Sequence, residues 1–416
     1  MITTEIEAPA IPRSSDNPSA IIVPILTAIT IAHLLNDIVQ SVIPAIFPIL
    51  QQSLRLNYTE LGLIAFANNM TASLMQPLVG WYTDRHPHPY SLVVGMACTL
   101  VGMLLLAFSG TLPLVIVAVM LVGLGSAVFH PEGSRIVMLS AGARLGLGQS
   151  VFQVGGNVGQ SLAPLMTILI FAPLGQFGAI WFVGVAAVAM VMLSYLAQWY
   201  KAHIPSLKHR SESARIKRTD EQQRRITMAI VLVVFLSFAR GWFVAGIGNF
   251  FALYQIEIFH SSLAAAQMHT FVFMLFGAFG ILLGGPLADR FGKRNVLMFS
   301  IFGCAPFALA IPFVSGFATY ILLSCAGFAI LSGFSVALMY MFDLMPGRTG
   351  LVSGLMFGLA FGLGAIGSIV LGKIADMIGI QQMMMWCCAL PCFGFLTVFL
   401  PTDATIRAWN SEPANV

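Results

Sequence analysis

The chain has 416 residues, of which 58% are hydrophobic and only 9% charged, with a formal net charge of +4. So apolar a composition excludes an ordinary soluble domain and marks an integral membrane protein. The small positive balance is read as loop topology, and no nucleic-acid binding is expected from it.

Apolar segments of about 20 residues, long enough to cross a hydrocarbon core as helix, recur along nearly the whole sequence. Twelve spans are predicted, at 20–50, 58–82, 91–109, 112–139, 145–172, 176–200, 226–256, 263–287, 295–314, 317–342, 350–373 and 380–401. They make an all-α membrane protein with an N-terminal six-helix bundle over 20–200 and a C-terminal one over 226–402. A tail precedes them over 1–19, a basic linker joins them over 201–225, and a second tail follows over 403–416. The first tail sets Glu5, Glu7 and Asp16 against Arg13 and lacks a secretory signal's basic start, so the first span is expected to be retained. With the N-terminus inside, sixteen of the twenty lysines and arginines fall on cytoplasmic segments. Both tails and the linker, with its eight basic and three acidic residues, are therefore expected in the cytoplasm.

In the first span His33, Asn36, Asp37 and Gln40 recur at helical spacing and share one face. A carboxylate in mid-membrane is costly and normally faces a partner or a water-filled cavity. A carboxylate taken out of water also holds its proton more readily. Asp37 is thus a candidate proton carrier, with His33 placed to tune it; the alternative is a structural bond to a neighbouring helix. The second span offers Asn69, Ser73 and Gln76 on one face and ends in "GWYTDR", Gly80 to Arg85. The fourth contains "FHPEGSR", where Pro131 removes a backbone donor and Glu132 can pair with Arg135 three residues on. That pair, with His130 beside it, is expected to gate by changing partners, with Glu132 as a second proton candidate; a static ion pair is the alternative. The fifth carries Gln149, Gln153, Asn157 and Gln160 on one stripe. The polar faces, including His33, Gln40, Gln153 and Asn157, are expected to line one substrate cavity, although amides also serve as interhelical glue. Gly155, Gly156 and Gly159, and later Gly354, Gly358 and Gly362, suit close backbone packing.

In the seventh span Arg240 stands out, followed by Phe243, Ile247, Phe250 and Tyr254. A fixed cation beside Phe243 and Phe250 suits an organic anion, and pairing with Asp37 or Glu132 is the rival reading. After the eighth comes "GPLADRFGKR", with Gly285, Asp289, Arg290 and Arg294. Gly80 to Gly285 and Asp84 to Asp289 are each 205 residues apart, as are Phe152 to Phe357 and Gly159 to Gly364. Two six-helix repeats joined by a loop are the plan of transporters that rock about a central site. All six cysteines fall in apolar spans, where they are expected to be packing residues. No disulfide, metal or cofactor is expected, and no GxxxxGK[ST] loop occurs.

The stretch "GPLADRFGKR" resembles the loop signature of the major facilitator superfamily. The resemblance implies a cytoplasmic latch between the bundles, formed by Gly80, Asp84, Arg85, Gly285, Asp289, Arg290 and Arg294; the first copy departs from the pattern at "HPHPYS". The stretches "HLLNDIVQS", "VFHPEGSR", "GQSVFQVGGNVGQSLAP" and "LMPGRTGLVSGLMFGLAFGLG" are similar to the bacterial fosmidomycin resistance proteins of that superfamily. This implies export of a small phosphonate drug in exchange for protons, and a monomer in the bacterial inner membrane is expected. The main alternative is uptake of a small organic anion by proton symport. A channel would need a continuous polar pore. An enzyme would need a convergent nucleophile or metal motif, and no HExxH or serine elbow is present.

Overall fold

The computed structural model describes residues 21–86, 88–142, 145–203, 219–346 and 349–411, and among these the chain is helical with no strand. The expected tail over 1–19 and most of the linker lie outside the described residues. In chain order the helices are α1 (Val23–Ala45), α2 (Phe47–Leu54), α3 (Tyr58–Arg85), α4 (Ser91–Phe108), α5 (Leu112–Ser140), α6 (Leu145–Met166), α7 (Ala172–Leu174) and α8 (Ile180–His203). After the linker come α9 (Asp220–Phe259), α10 (Leu263–Phe291), α11 (Lys293–Ile301), α12 (Ala305–Ala310), α13 (Phe317–Leu344), α14 (Thr349–Ile378), α15 (Ile380–Ala389) and α16 (Asp403–Ser411). Nine helical stretches among the described residues are long and apolar enough to cross a membrane. One of these, Gly148–His203, contains two expected spans. The expected spans 58–82 and 350–373 fall on α3 and α14, which are not among the nine; α3 is made polar by Asn68, Asn69, Thr71, Ser73 and Gln76.

Local chemistry explains where helices start and break. The first expected span divides into α1 and α2 because Pro44 and Pro48 each remove a backbone donor. Helix α9 begins inside the expected linker, at Asp220. Thr219 and Gln222 form a reciprocal cap there, which satisfies two backbone N–H groups. Residues 403–411, expected as tail, are helical as α16, with the Thr405 N–H donating to Thr402 Oγ1 at 3.2 Å. In α6, Pro164 precedes a widened turn over Thr167–Phe171.

The 205-residue repeat extends to backbone geometry. Arg55 and His260 are the two described non-glycine residues with positive φ, 53° and 52°. Each is followed by a helix capped two residues on, by Asn57 before α3 and by Ser262 before α10. Helices α5 and α13 begin at Leu112 and Phe317, again 205 apart. The two halves thus repeat in register.

In the N-terminal half α1 packs on α6, and α5 packs on α3 and α4; in the C-terminal half α10 packs on α13, and α9 on α14. The halves meet chiefly where α3 lies on α14 and α6 on α10. Large apolar side chains such as Val191, Phe317 and Met377 are more than two-thirds exposed. Helices this apolar around their whole circumference are stable only in lipid.

The α3–α14 seam rests on glycines. A Cβ at Gly62 would run into the Ser368 carbonyl, and one at Gly372 into the Tyr58 carbonyl. Gly62→Val and Gly372→Val should each destabilise the protein by about 1–3 kcal/mol through overpacking, read as a lower Tm in detergent. Gly184→Ala, at a position with open space, should leave the Tm nearly unchanged.

Candidate functional site

The polar face of α1 is turned inward onto α5 and α6. Asp37 is 2% exposed and is held by four neighbours. Asn36 Nδ2 donates to its Oδ1 at 3.0 Å and Gln160 Nε2 to its Oδ2 at 2.8 Å. His33 Nε2 stands 3.5 Å from Oδ2, and His130 Nε2 stands 4.0 Å from Oδ1. His33 is stacked against Phe152, ring centroids 4.0 Å apart, with Phe129 at 5.5 Å. Its Nδ1 donates to the Phe152 carbonyl at 2.7 Å. Gly156 makes this packing possible, because a Cβ there would strike both His33 and the Asp37 carboxylate.

Beside this cluster opens a cavity of about 150 Å³ lined by Gln40, Asn68, Asn69, Ser73, Gln76, Ser126, His130, Gln160 and Asn249, among others. Ser126 Oγ donates to Gln40 Oε1 at 2.9 Å, which ties the walls formed by α5 and α1. The polar faces of α1, α3 and α6 therefore meet at one space, through Gln40, through Asn69, Ser73 and Gln76, and through Gln160. Asn249 adds a group from the C-terminal half and is held by Ser368, to whose Oγ its Nδ2 donates at 2.8 Å. Among the lining residues none is a lysine, arginine or carboxylate. Polar amides and hydroxyls, with one imidazole, can orient an uncharged or anionic polar group by hydrogen bonds.

Several predicted residues sit elsewhere. Gln153 and Asn157 are half-buried on α6 but do not line this cavity. Phe243 and Phe250 are fully buried in the hydrophobic core. Arg240 lines a separate, smaller pocket within the C-terminal half, with Ser237, Leu297, Ile301, Ala337 and Leu400. Its guanidinium lies 5.4 Å from the Phe334 ring centroid, and it makes no ion pair with Asp37 or Glu132. Helical spacing identified the face of α9 that carries Arg240, but that face turns toward α11 and α13 instead of the central cavity.

Glu132 is fully buried and paired with Arg135, Nη1 to Oε1 at 2.5 Å, and Ser91 Oγ donates to its Oε2 at 3.2 Å. Arg135 Nη2 also donates to the Gly80 carbonyl at 3.0 Å. The pair therefore braces α5 against the end of α3 and the start of α4, all within one half, and Glu132 does not line the central cavity.

Several hydrogen bonds cross between the halves at the end where α3 begins. Asp376 accepts from the backbone N–H groups of Tyr58 at 2.9 Å and Thr59 at 2.7 Å, and from Thr59 Oγ1. Tyr58 bonds Glu257, and Gln267 Nε2 donates to the Ala45 carbonyl at 2.8 Å. A carboxylate at a helix N-terminus is favourable for both the orphan donors and the dipole. At the opposite end the latch residues Asp289, Arg290 and Arg294 make no described bond to the other half. Asp289 and Arg290 are exposed. Arg294 donates to the carbonyls of Thr397 and Val398 in its own half, and no atom comes within 4 Å of a Cβ placed on Gly285. The side chains of Asp84 and Arg85 lie outside the described residues. Tyr58, Glu257, Asp376 and Asn249 were missed from sequence, although "GKIAD" from Gly372 to Asp376 repeats the Gly-x-x-x-Asp spacing of the two latch loops.

A profile described as Major Facilitator Superfamily matches residues 29–357. The chain is 47% identical over 409 residues, 98% of its length and 100% of the relative, to the uncharacterized MFS-type transporter YfnC of Bacillus subtilis. It is 42% identical over 382 residues, 91% of its length and 93% of the relative, to the fosmidomycin resistance protein of Escherichia coli K12. Among solved structures, it is similar to an inward-facing, occupied bacterial homologue of the human lysosomal transporter Spinster. The TM-score is 0.74 at 16% identity, covering 96% of this chain and 100% of that one. A crystal structure of the nucleoside transporter NupG gives a TM-score of 0.65 at 15% identity, covering 94% and 100%.

Asp376→Asn keeps the shape of the seam but removes the charge that the two N–H groups face. It should shift the population toward separation at this end by about five- to tenfold, corresponding to about 1 kcal/mol or slightly more. Spin-label distances between the start of α3 and the end of α14 would show a longer component growing in the variant.

Proposed function

The chain belongs to the major facilitator superfamily, a family of membrane transporters, and from that premise we propose that it exports a small drug, of the phosphonate class, in exchange for protons. The observation that carries this reading is its 42% identity to the fosmidomycin resistance protein over nearly the full length of both. The proposed setting is the bacterial inner membrane, crossed twelve times by a monomer with both termini in the cytoplasm.

In that orientation the sealed end, where Asp376 caps α3, faces outward and the end bearing Gly80 and Asp289 opens to the cytoplasm. Drug enters from the cytoplasm and is held by the amides and hydroxyls around Gln40, Asn69, Gln76 and Asn249. Asp37 carries the coupling proton, with His130 as the group between it and the cavity. Release outward requires the α3–α14 seam to part and the latch loops to close, with Asp289 and Arg290 free to engage the other half. Drug and proton compete, so one drives the other. One charge moving down about 100 mV supplies roughly 2.3 kcal/mol, about fiftyfold in concentration. Glu132 and Arg135 brace the N-terminal half and act on the gate, and the aromatic wall near Arg240 has no part in the central site.

The alternative is proton-coupled uptake of a small organic anion. It draws on distant relatives, a probable sulfoacetate transporter at 22% identity and a probable hexose phosphate transport protein at 24%. The central cavity supports it less, since no lysine or arginine is among its described lining residues.

Proteoliposomes separate these readings. A pH gradient, acidic on the side of the sealed end, should drive fosmidomycin toward that side in wild type. Asp37→Asn should lose at least tenfold of this gradient-driven accumulation while retaining counterflow, because the amide keeps the size and one accepting oxygen but not the exchangeable proton. Glu132→Gln should slow accumulation and counterflow alike. Full gradient-driven accumulation in Asp37→Asn would place the coupling group elsewhere.

Orientation has its own test. Reporter fusions at Lys208 and after the C-terminus should report cytoplasm, and one near Asn57 should report the outside. A cytoplasmic signal at Asn57 would overturn the twelve-span topology.

A further inference from the structure

The cluster at Asp37 has a geometry that hydrogen bonding alone does not account for. A backbone carbonyl can only accept, so the nitrogen facing it must carry the proton. His33 Nδ1 faces the Phe152 carbonyl at 2.7 Å. His130 Nδ1 faces the Ser126 carbonyl at 3.0 Å, and the nearby Ser126 hydroxyl is already committed to Gln40. In each neutral ring the lone pair therefore lies on Nε2, and both Nε2 atoms point toward the Asp37 carboxylate. Two lone pairs and a carboxylate converge, and His33 Nε2 is buried with no hydrogen-bond partner.

Protonating the imidazoles would not turn these approaches into good bonds. Charge-assisted N–H···O⁻ contacts run about 2.7–2.9 Å, whereas the two separations here are 3.5 and 4.0 Å. The 3.5 Å separation is the spacing of two ligands sharing one ion, and the 4.0 Å one comes within that reach by a small rotation of the His130 ring. Metal–ligand bonds of about 2.0–2.2 Å in a tetrahedral site set ligand atoms roughly 3.3–3.5 Å apart, and the three ligand atoms here lie within 4.8 Å of one another. We propose that His33, Asp37 and His130 form a binding site for a divalent transition-metal cation of the Zn²⁺ class, reached from the central cavity.

The surroundings have the character of a prepared site. Each imidazole is oriented by a carbonyl on its far nitrogen, and the carboxylate by Asn36 and Gln160, which is how protein metal ligands are ordinarily held. His33 is clamped between Phe129 and Phe152. His130 is the adjustable ligand: its side chain is 29% exposed at the cavity wall, so it can close on an ion by rotating its ring. Gly156 leaves the adjoining space free, where a Cβ would contact His33 Nε2 and Asp37 Oδ2. Two imidazoles and one carboxylate match zinc's preference for nitrogen and oxygen ligands and leave a fourth position for water. Sequence spacing did not reveal the site, because His130 lies 93 residues beyond Asp37 and on another helix.

This inference is independent of what the protein transports and in which direction. It is tested on the purified full-length chain in detergent, using Co²⁺ as a spectroscopic probe and Zn²⁺ as competitor. Wild type should give saturable visible absorption of four- or five-coordinate Co²⁺ at one equivalent per chain, abolished by Zn²⁺. Asp37→Asn, His33→Gln and His130→Gln should each weaken binding at least tenfold, while His88→Gln, on the exposed loop after α3, should leave it unchanged. His130→Gln alters a partly exposed side chain and keeps the test decisive if a His33 variant does not fold. Absence of a saturable Co²⁺ signal in wild type, or a signal that persists at full affinity in both His130→Gln and Asp37→Asn, would overturn the proposal.

Discussion

A carboxylate placed in an apolar bundle has to be surrounded by groups that replace water, and the architecture of the N-terminal half follows from how Asp37 is treated. The cost of an unsatisfied charge there is several kcal/mol. Two amides bond the carboxylate, two imidazoles face it, and phenylalanines wall off the rest. To bring these groups together α6 must approach α1 closely. Three glycines allow it, Gly155 and Gly159 against the backbone of α1 and Gly156 against the polar cluster itself. Packing and polarity are therefore one problem here: the small residues that admit the backbone contact also leave room for the charged group.

The second organising constraint is the contact between halves. Buried apolar side chains of both halves form one continuous cluster, so what distinguishes the junction between them is its polar contacts. The crossing hydrogen bonds concentrate at the α3 start, where Asp376 takes the place of water at another helix's first turn. At the other end, described bonds such as Arg135 to Gly80 and Lys293 to Asp343 close within one half. The seam between α3 and α14 is tight, backbone against backbone at Gly62 and Gly372.

The buried charges divide by their surroundings into separate tasks. Asp37 adjoins the central cavity through His130 and Gln160. Glu132 is matched one-to-one by Arg135 away from that cavity and serves as a brace. Arg240 is buried against an aromatic ring inside the C-terminal half. Burial alone did not distinguish these three; their neighbours did.

Much was legible in the sequence. Composition and the recurrence of apolar segments determined an all-helical membrane protein, because only helices satisfy every backbone group within one segment. The 205-residue spacing of the Gly-x-x-x-Asp loops exposed the repeat, since equivalent turns need equivalent residues. Helical periodicity put His33, Asn36, Asp37 and Gln40 on one face, and Asn69, Ser73 and Gln76 on another, because side-chain direction follows from position along a single helix. What meets a given face is decided by helices far away in sequence. Only the tertiary structure joined Asp37 to His130 and Gln160, brought Asn249 to the cavity, set Asp376 on the first turn of α3 and turned Arg240 away from the centre. The physical reason is that each of these contacts depends on rotation and approach of separate helices, which are set by close packing of small residues and by the pairing of buried polar groups, and neither quantity is carried by the period of any one segment.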